Sequence, residues 1–124
     1  MSELKFNVLS AEDVRALIER RDETEVTVID IRPTGTFGDA HLLWANSVPL
    51  STLELEILDR VPRLSTPVVL CAGDQTDAAK LLRAAHVLAA MGYQNVSVFN
   101  GGVAAWDAAG FEVFSGVNVP SKAF

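Results

Sequence analysis

Pro67-Val68-Val69-Leu70-Cys71-Ala72-Gly73-Asp74-Gln75-Thr76-Asp77 reads as a short buried strand, a small polar loop and the start of a helix. The strand is apolar without alternation, the pattern of a parallel strand covered on both faces. A loop at the carboxyl end of such a strand, leading into a helix, is where open α/β sheets bind ligands and do chemistry. Cys71, the single cysteine of the chain, sits at the mouth of that loop. It is either a nucleophile or a buried structural residue, and function turns on which.

Downstream, Ala78, Leu81, Leu82, Ala85, Leu88 and Ala89 recur at helical spacing, and Gly92 follows where a left-handed cap is wanted. Val96-Ser97-Val98-Phe99 is a further strand, Asn100-Gly101-Gly102 a turn, and 103–109 a short helix carrying Trp106 and ended by Gly110. Upstream, Val26-Thr27-Val28-Ile29-Asp30-Ile31 is β-branched and nearly all apolar, as a central strand should be. Asp30 interrupts it at the carboxyl end, and Arg32 follows two residues on. Opposite charges there either brace the first loop by charge-assisted hydrogen bonds or contact a substrate. From Arg32 to Val48 the residues are mainly those of a loop, with one helical turn near Thr36-Phe37; its length makes it a candidate for function.

At the N-terminus, Leu4 to Val8 alternates as a half-buried strand does. Ser10 and Asp13 form a capping box for the next helix, and Leu9 and Val14 its hydrophobic staple. A second box, Ser51 with Glu54, and a second staple, Leu50 with Leu55, open a helix whose buried face is Leu53, Ile57 and Val61. Pro62 stops it. Strands alternating with helices, the inner strands continuously apolar, make this an α/β protein: a parallel sheet with helices on both faces.

The totals narrow the function classes. At 124 residues the chain is one domain large enough for a real core. A net charge of −6 with no basic stripe argues against nucleic acid or an anionic membrane as partner. One cysteine excludes an internal disulfide and fits a reducing compartment. With no signal-like run near Met1 and no stretch of membrane-spanning length, a soluble cytoplasmic domain is expected.

A thiolate at Cys71 needs an electropositive, partly open site, which inward-turned loop amides supply; Gly73 gives the loop that freedom. Asp74 and Asp77 work against it. They place two carboxylates where a thiolate would be held, which raises a thiol pKa, and they serve as caps for the helix N-terminus. No Arg or Lys lies in the loop; the nearest, Lys80 and Arg83, are one to two turns into the helix. As a general base for Cys71, His41 in the long loop and His86 on the helix compete with structural and surface roles respectively. Two unpaired histidines do not make a metal site, and no phosphate loop, dinucleotide fingerprint or serine elbow is present, so no metal or cofactor is expected.

These residues resemble the rhodanese-like domain along almost the entire chain. The first match is Val28-Ile29-Asp30-Ile31-Arg32, with Phe37, His41-Leu42, Ala45 and Val48-Pro49. The second is Pro67 to Cys71, similar to the strand leading to the family's catalytic cysteine. The third is Met91-Gly92-Tyr93-Gln94-Asn95-Val96 with Phe99-Asn100-Gly101-Gly102-Val103-Ala104-Ala105-Trp106. The resemblance implies a central parallel sheet of about five strands and a domain spanning 1–110. It leaves 111–124 as a C-terminal extension or inter-domain linker. Phe114 to Phe124 looks like the segment joining tandem rhodanese domains of bacterial proteins, so the chain is expected to be the first domain of a longer one, with further rhodanese domains as partners.

The resemblance also implies a site: Cys71 as nucleophile, the loop Ala72, Gly73, Asp74, Gln75, Thr76 and Asp77 around a persulfide, and Asp30, Arg32 and His41 in support. Family members that transfer sulfur carry Cys-x-x-Gly-x-Arg-Ser or Thr; this loop has no Arg and two acids. Counted from Pro67, the catalytic position falls on either Cys71 or Ala72. Two functions follow. In one, Cys71 takes sulfane sulfur from a small anion such as thiosulfate and passes it to a thiol or cyanide. In the other, a catalytically degenerate module has a structural, ligand-binding or regulatory role beside other rhodanese domains.

Overall fold

The computed structural model describes residues 7–20, 26–33, 41–42, 45–73, 75–99, 101–115 and 119–120. The core sheet contains β1 (Asn7–Leu9), β2 (Thr27–Asp30), β4 (Ala45–Ser47), β5 (Val68–Cys71) and β6 (Val96–Phe99). They are parallel throughout, in the spatial order β1-β6-β5-β2-β4. This is the expected five-stranded architecture. The strand that leads to the cysteine lies at its centre: β5 is buried along its whole length.

Strand alternation divides the apolar residues into two cores. Ile29, Ile31, Val68, Leu70 and Ala72 pack with Leu53 and Ile57 of helix α2 (Leu53–Arg60) and Leu81, Ala85 and Leu88 of helix α3 (Ala78–Met91). Val28, Val69, Cys71 and Phe99 pack on the opposite face with Val14 and Ile18 of helix α1 (Ala11–Glu19) and Trp106 of helix α4 (Gly102–Ala108). The helices cover both faces, as read from the pattern.

The capping box of α1 forms: Asp13 N–H donates to Ser10 Oγ at 3.1 Å, and Ser10 N–H to Asp13 Oδ2 at 3.1 Å. Gly92 ends α3 with φ of +104°. The capping box and staple assigned to α2 do not form. That helix starts at Leu53 after a 3-10 turn, Leu50–Thr52, with no side-chain cap, and Leu55 is 80% exposed. Leu50 N–H is tied to Ile31 O at 2.9 Å, and burial of Leu53 and Ile57 sets the rotation of the helix, turning Leu55 outward.

The stretch read as loop from Arg32 to Val48 includes strand β4 and a short strand β3 (His41–Leu42). Ala45-Asn46-Ser47 has no β-branched residue; its extended form comes from pairing with β2, as in Val48 N–H to Asp30 O at 3.0 Å. The helical turn near Thr36-Phe37 and residues 4–6 of the first strand lie outside the described residues. Strand β3 pairs antiparallel with β7 (Val113–Ser115), which pairs in turn with β8 (Val119–Pro120). Phe111 stacks edge-on against Trp106 at 4.8 Å, and Trp106 Nε1 donates to Glu112 O at 2.7 Å. Residues 111–115, placed by sequence in the extension, therefore run back along the domain.

Candidate active site

At the carboxyl ends of β2 and β5, Asp30 and Cys71 stand in register, and Ser47 of β4 is level with Asp30. Asp30 is fully buried. It receives a two-pronged contact from Arg32: Nε to Oδ1 at 3.0 Å and Nη2 to Oδ2 at 2.7 Å, with Arg32 N–H also on Oδ1 at 3.0 Å. The backbone is turned so that residue 32 folds over residue 30, which explains the spacing of the two charges. Burial works against the Arg32 charge, but the Asp30 hydrogen bonds and charge more than offset it and raise the guanidinium pKa.

Cys71 is fully buried, and its side chain belongs to the core beneath α1 and α4. Burial in this apolar setting pushes the thiol pKa well up, the Asp30 carboxylate adds to the rise, and Arg32 opposes it. Neighbouring Ala72 faces the other way. It lines a cleft of about 450 Å³ on the α2/α3 side of the sheet. Ile31, Leu50 and Val87 provide apolar wall, and Arg32, Glu54, Asp77, Lys80 and Arg83 bring charge to it.

The loop is held at both ends. Val103 N–H donates to Ala72 O at 3.0 Å and Ala104 N–H to Gly73 O at 2.9 Å, so the first turn of α4 grips its carbonyls. Gly73 N–H donates to Asp77 Oδ2 at 2.9 Å. Gln75–Asp77 form a 3-10 turn leading into α3. Asp77 stands at the N-cap of α3 yet makes no cap bond with its side chain, contrary to the capping role read from sequence. Lys80 Nζ lies 3.9 Å from Asp77 Oδ1.

Of the residues singled out by sequence, Arg32, Ala72 and Asp77 meet at the cleft and Asp30 braces it; Thr76 is exposed. Asp74 and the side chains of Gln75 and His41 lie outside the described residues; the His41 backbone is on β3, opposite Phe114. His86 is exposed on α3. Glu54, Lys80, Arg83 and Val87 join the cleft beyond the residues singled out by sequence. The helical spacing of 77, 80, 83 and 87 is the signal that places Lys80, Arg83 and Val87 on one face of α3 with the loop, while Glu54 reaches the cleft from α2. Among the described residues no group of three or more His, Cys, Asp or Glu is placed to hold a metal, and no helix is long and apolar enough to cross a membrane.

The raised thiol has a consequence for stability. The unfolded thiol titrates at about 8.5, and the folded one above it. Its contribution is therefore complete below about pH 8.5 and declines as pH rises further, because the unfolded chain releases a proton the folded chain retains. The slope approaches about 1.4 kcal/mol per pH unit. Urea titrations between about pH 7 and 10 should show the parent losing stability faster than Cys71→Ala; parallel curves would contradict the burial of the thiol. Tyr93, whose phenol is also raised by burial, acts in both proteins alike.

The model of the rhodanese-like domain family matches residues 10–109. Among solved structures, a thiosulfate sulfurtransferase from Pseudomonas aeruginosa superposes with a TM-score of 0.79 at 38% identity, over 91% of this chain and 21% of that one. The chain thus spans about a fifth of that protein's length. The Alr3790 protein of Anabaena sp. superposes with a TM-score of 0.76 at 23% identity, over 88% of this chain and 93% of that one. A rhodanese-related protein from Thermoplasma volcanium does so at 0.69 and 18% identity, over 87% and 97%. No curated protein matches the sequence.

Proposed function

The chain belongs to the rhodanese-like domain family, and we propose that within it this domain is a catalytically silent module: its cleft binds or regulates, and Cys71 carries no sulfur. One observation supports this above the others. The thiol of Cys71 is buried on the face of the sheet opposite the cleft, and the side chain at the cleft is the methyl group of Ala72. Sulfane transfer requires a thiolate to attack the outer sulfur of a donor such as thiosulfate, release sulfite and hold the sulfur as a persulfide. A thiol without solvent contact, with its ionisation opposed by burial and by Asp30, has neither the access nor the charge for that attack. The bulk of the domain is then a scaffold, and a neighbouring rhodanese-like domain of a longer protein supplies any turnover. The similarity to the thiosulfate sulfurtransferase supports a role beside sulfur transfer.

The test uses thiosulfate followed by intact mass. The native domain should gain no sulfur and form no thiocyanate with cyanide. Iodoacetamide should leave Cys71 untouched until urea unfolds the chain. In the paired variant Cys71→Ala/Ala72→Cys the thiol should be alkylated in the folded state, at least about tenfold faster. Persulfide on the native protein that vanishes in Cys71→Ala would sink the proposal and restore the sulfurtransferase reading.

A further inference from the structure

The loop that would cradle a sulfur oxyanion already holds an anion of its own. Asp77 turns back from the start of α3, forgoes the cap bond its position offers, and takes Gly73 N–H at 2.9 Å. Its other oxygen lies 3.9 Å from Lys80 Nζ, and its charge acts on Arg32. An incoming oxyanion needs the same three partners: a loop amide, the α3 ammonium and the guanidinium. Glu54 brings a second carboxylate to the cleft.

We propose that Asp77 is the resident anion of the cleft and the residue that sets its specificity, excluding thiosulfate and other sulfur oxyanions by occupying their hydrogen-bond donors and repelling their charge. The inference deepens the silent-module reading, on which it rests for taking the cleft as the binding site. The absence of a nucleophile blocks sulfur transfer; Asp77 blocks the step before it, binding of the donor. Ala72 and Asp77 thus act against one activity at two separate steps.

Sodium sulfate and sodium thiosulfate, titrated at constant ionic strength into the isotope-labelled protein, test this through the Gly73 amide resonance. In the parent that resonance should show no saturable shift. In Asp77→Ala both anions should bind at least about tenfold more tightly, the ratio expected from freeing a charge-assisted hydrogen bond. Asp77→Asn retains an acceptor for Gly73 and hence the loop, while removing the charge; it should gain severalfold. Adding Lys80→Ala to Asp77→Ala should abolish most of the gain. If neither Asp77 variant, each with a dispersed spectrum, binds more tightly than the parent, the proposal is overturned. A saturable Gly73 shift in the parent overturns it equally. The titration reads reversible binding and the mass test reads covalent sulfur, so no gain here leaves the silent-module reading standing.

Discussion

Gly102→Ala should lose at least about 4 kcal/mol of folding stability, enough to bring an ordinary domain to the edge of unfolding. A methyl group at this position would sit 2.0 Å from Ala72 O, 2.6 Å from Ala72 C and 2.9 Å from Gly73 C. All three are backbone atoms, so no rotamer change relieves the overlap. The residue also has φ of +54°, where a side chain costs about 1–2 kcal/mol. The only escape is to draw α4 away from the loop, which breaks the bonds from Val103 and Ala104 to Ala72 O and Gly73 O. Each is worth about 1 kcal/mol net, and more when its groups stay buried and unpaired. Gly110→Ala is the control: φ is +88° there, but no atom lies within 4 Å of the added carbon. It should lose only about 1 kcal/mol. Urea denaturation followed by circular dichroism separates the two. Equal losses in both variants would mean that α4 does not press on the loop as described.

Arg32→Ala should be the more damaging half of the Asp30–Arg32 pair, at about 3–5 kcal/mol. It strands the Asp30 carboxylate, which is 0% exposed, without its charged partner. Asp30→Ala leaves a guanidinium that is 12% exposed and lines the cleft, so water reaches part of it. That loss should be smaller by at least about 1 kcal/mol. The double variant strands neither charge and should lie closer to the parent than the sum of the singles, with a coupling of about 2 kcal/mol. A reversed order, or strict additivity, would show that the two-pronged contact does not hold the end of β2.

Much of the fold is legible in the amino-acid sequence alone. The apolar runs at 26–31, 67–71 and 96–99 are too continuous for a one-faced sheet, and the helices between them are marked by their apolar spacing and ended by Pro62 and Gly92. That is enough for a parallel sheet clothed on both sides. Local chemistry is readable where the partner is near in sequence: Ser10 with Asp13, Asp30 with Arg32, Gly92 after α3. It misleads where a distant contact takes precedence. Ser51 and Glu54 have the spacing of a capping box, but with Leu50 anchored to Ile31 the helix starts one residue later, with Thr52 at its N-cap. Ala45-Asn46-Ser47 looks like loop, and only the ladder with β2 makes it a strand. Asp77 shows that a near partner can mislead as well: it has the identity of a helix cap, but the Gly73 amide four residues back takes its carboxylate.

The order of residues alone places a cysteine and an alanine side by side at the end of the central strand, ahead of a loop with acids and no cation. It could not say which of the two looks into the cleft. Adjacent strand residues point to opposite faces, and an apolar run buried on both sides has no polar residue to mark which face is which. The choice belongs to the tertiary structure. Pairing of Thr27 with Val68 and Asp30 with Cys71 fixes the register, α1 and α4 close over the thiol, and the cleft opens above Ala72.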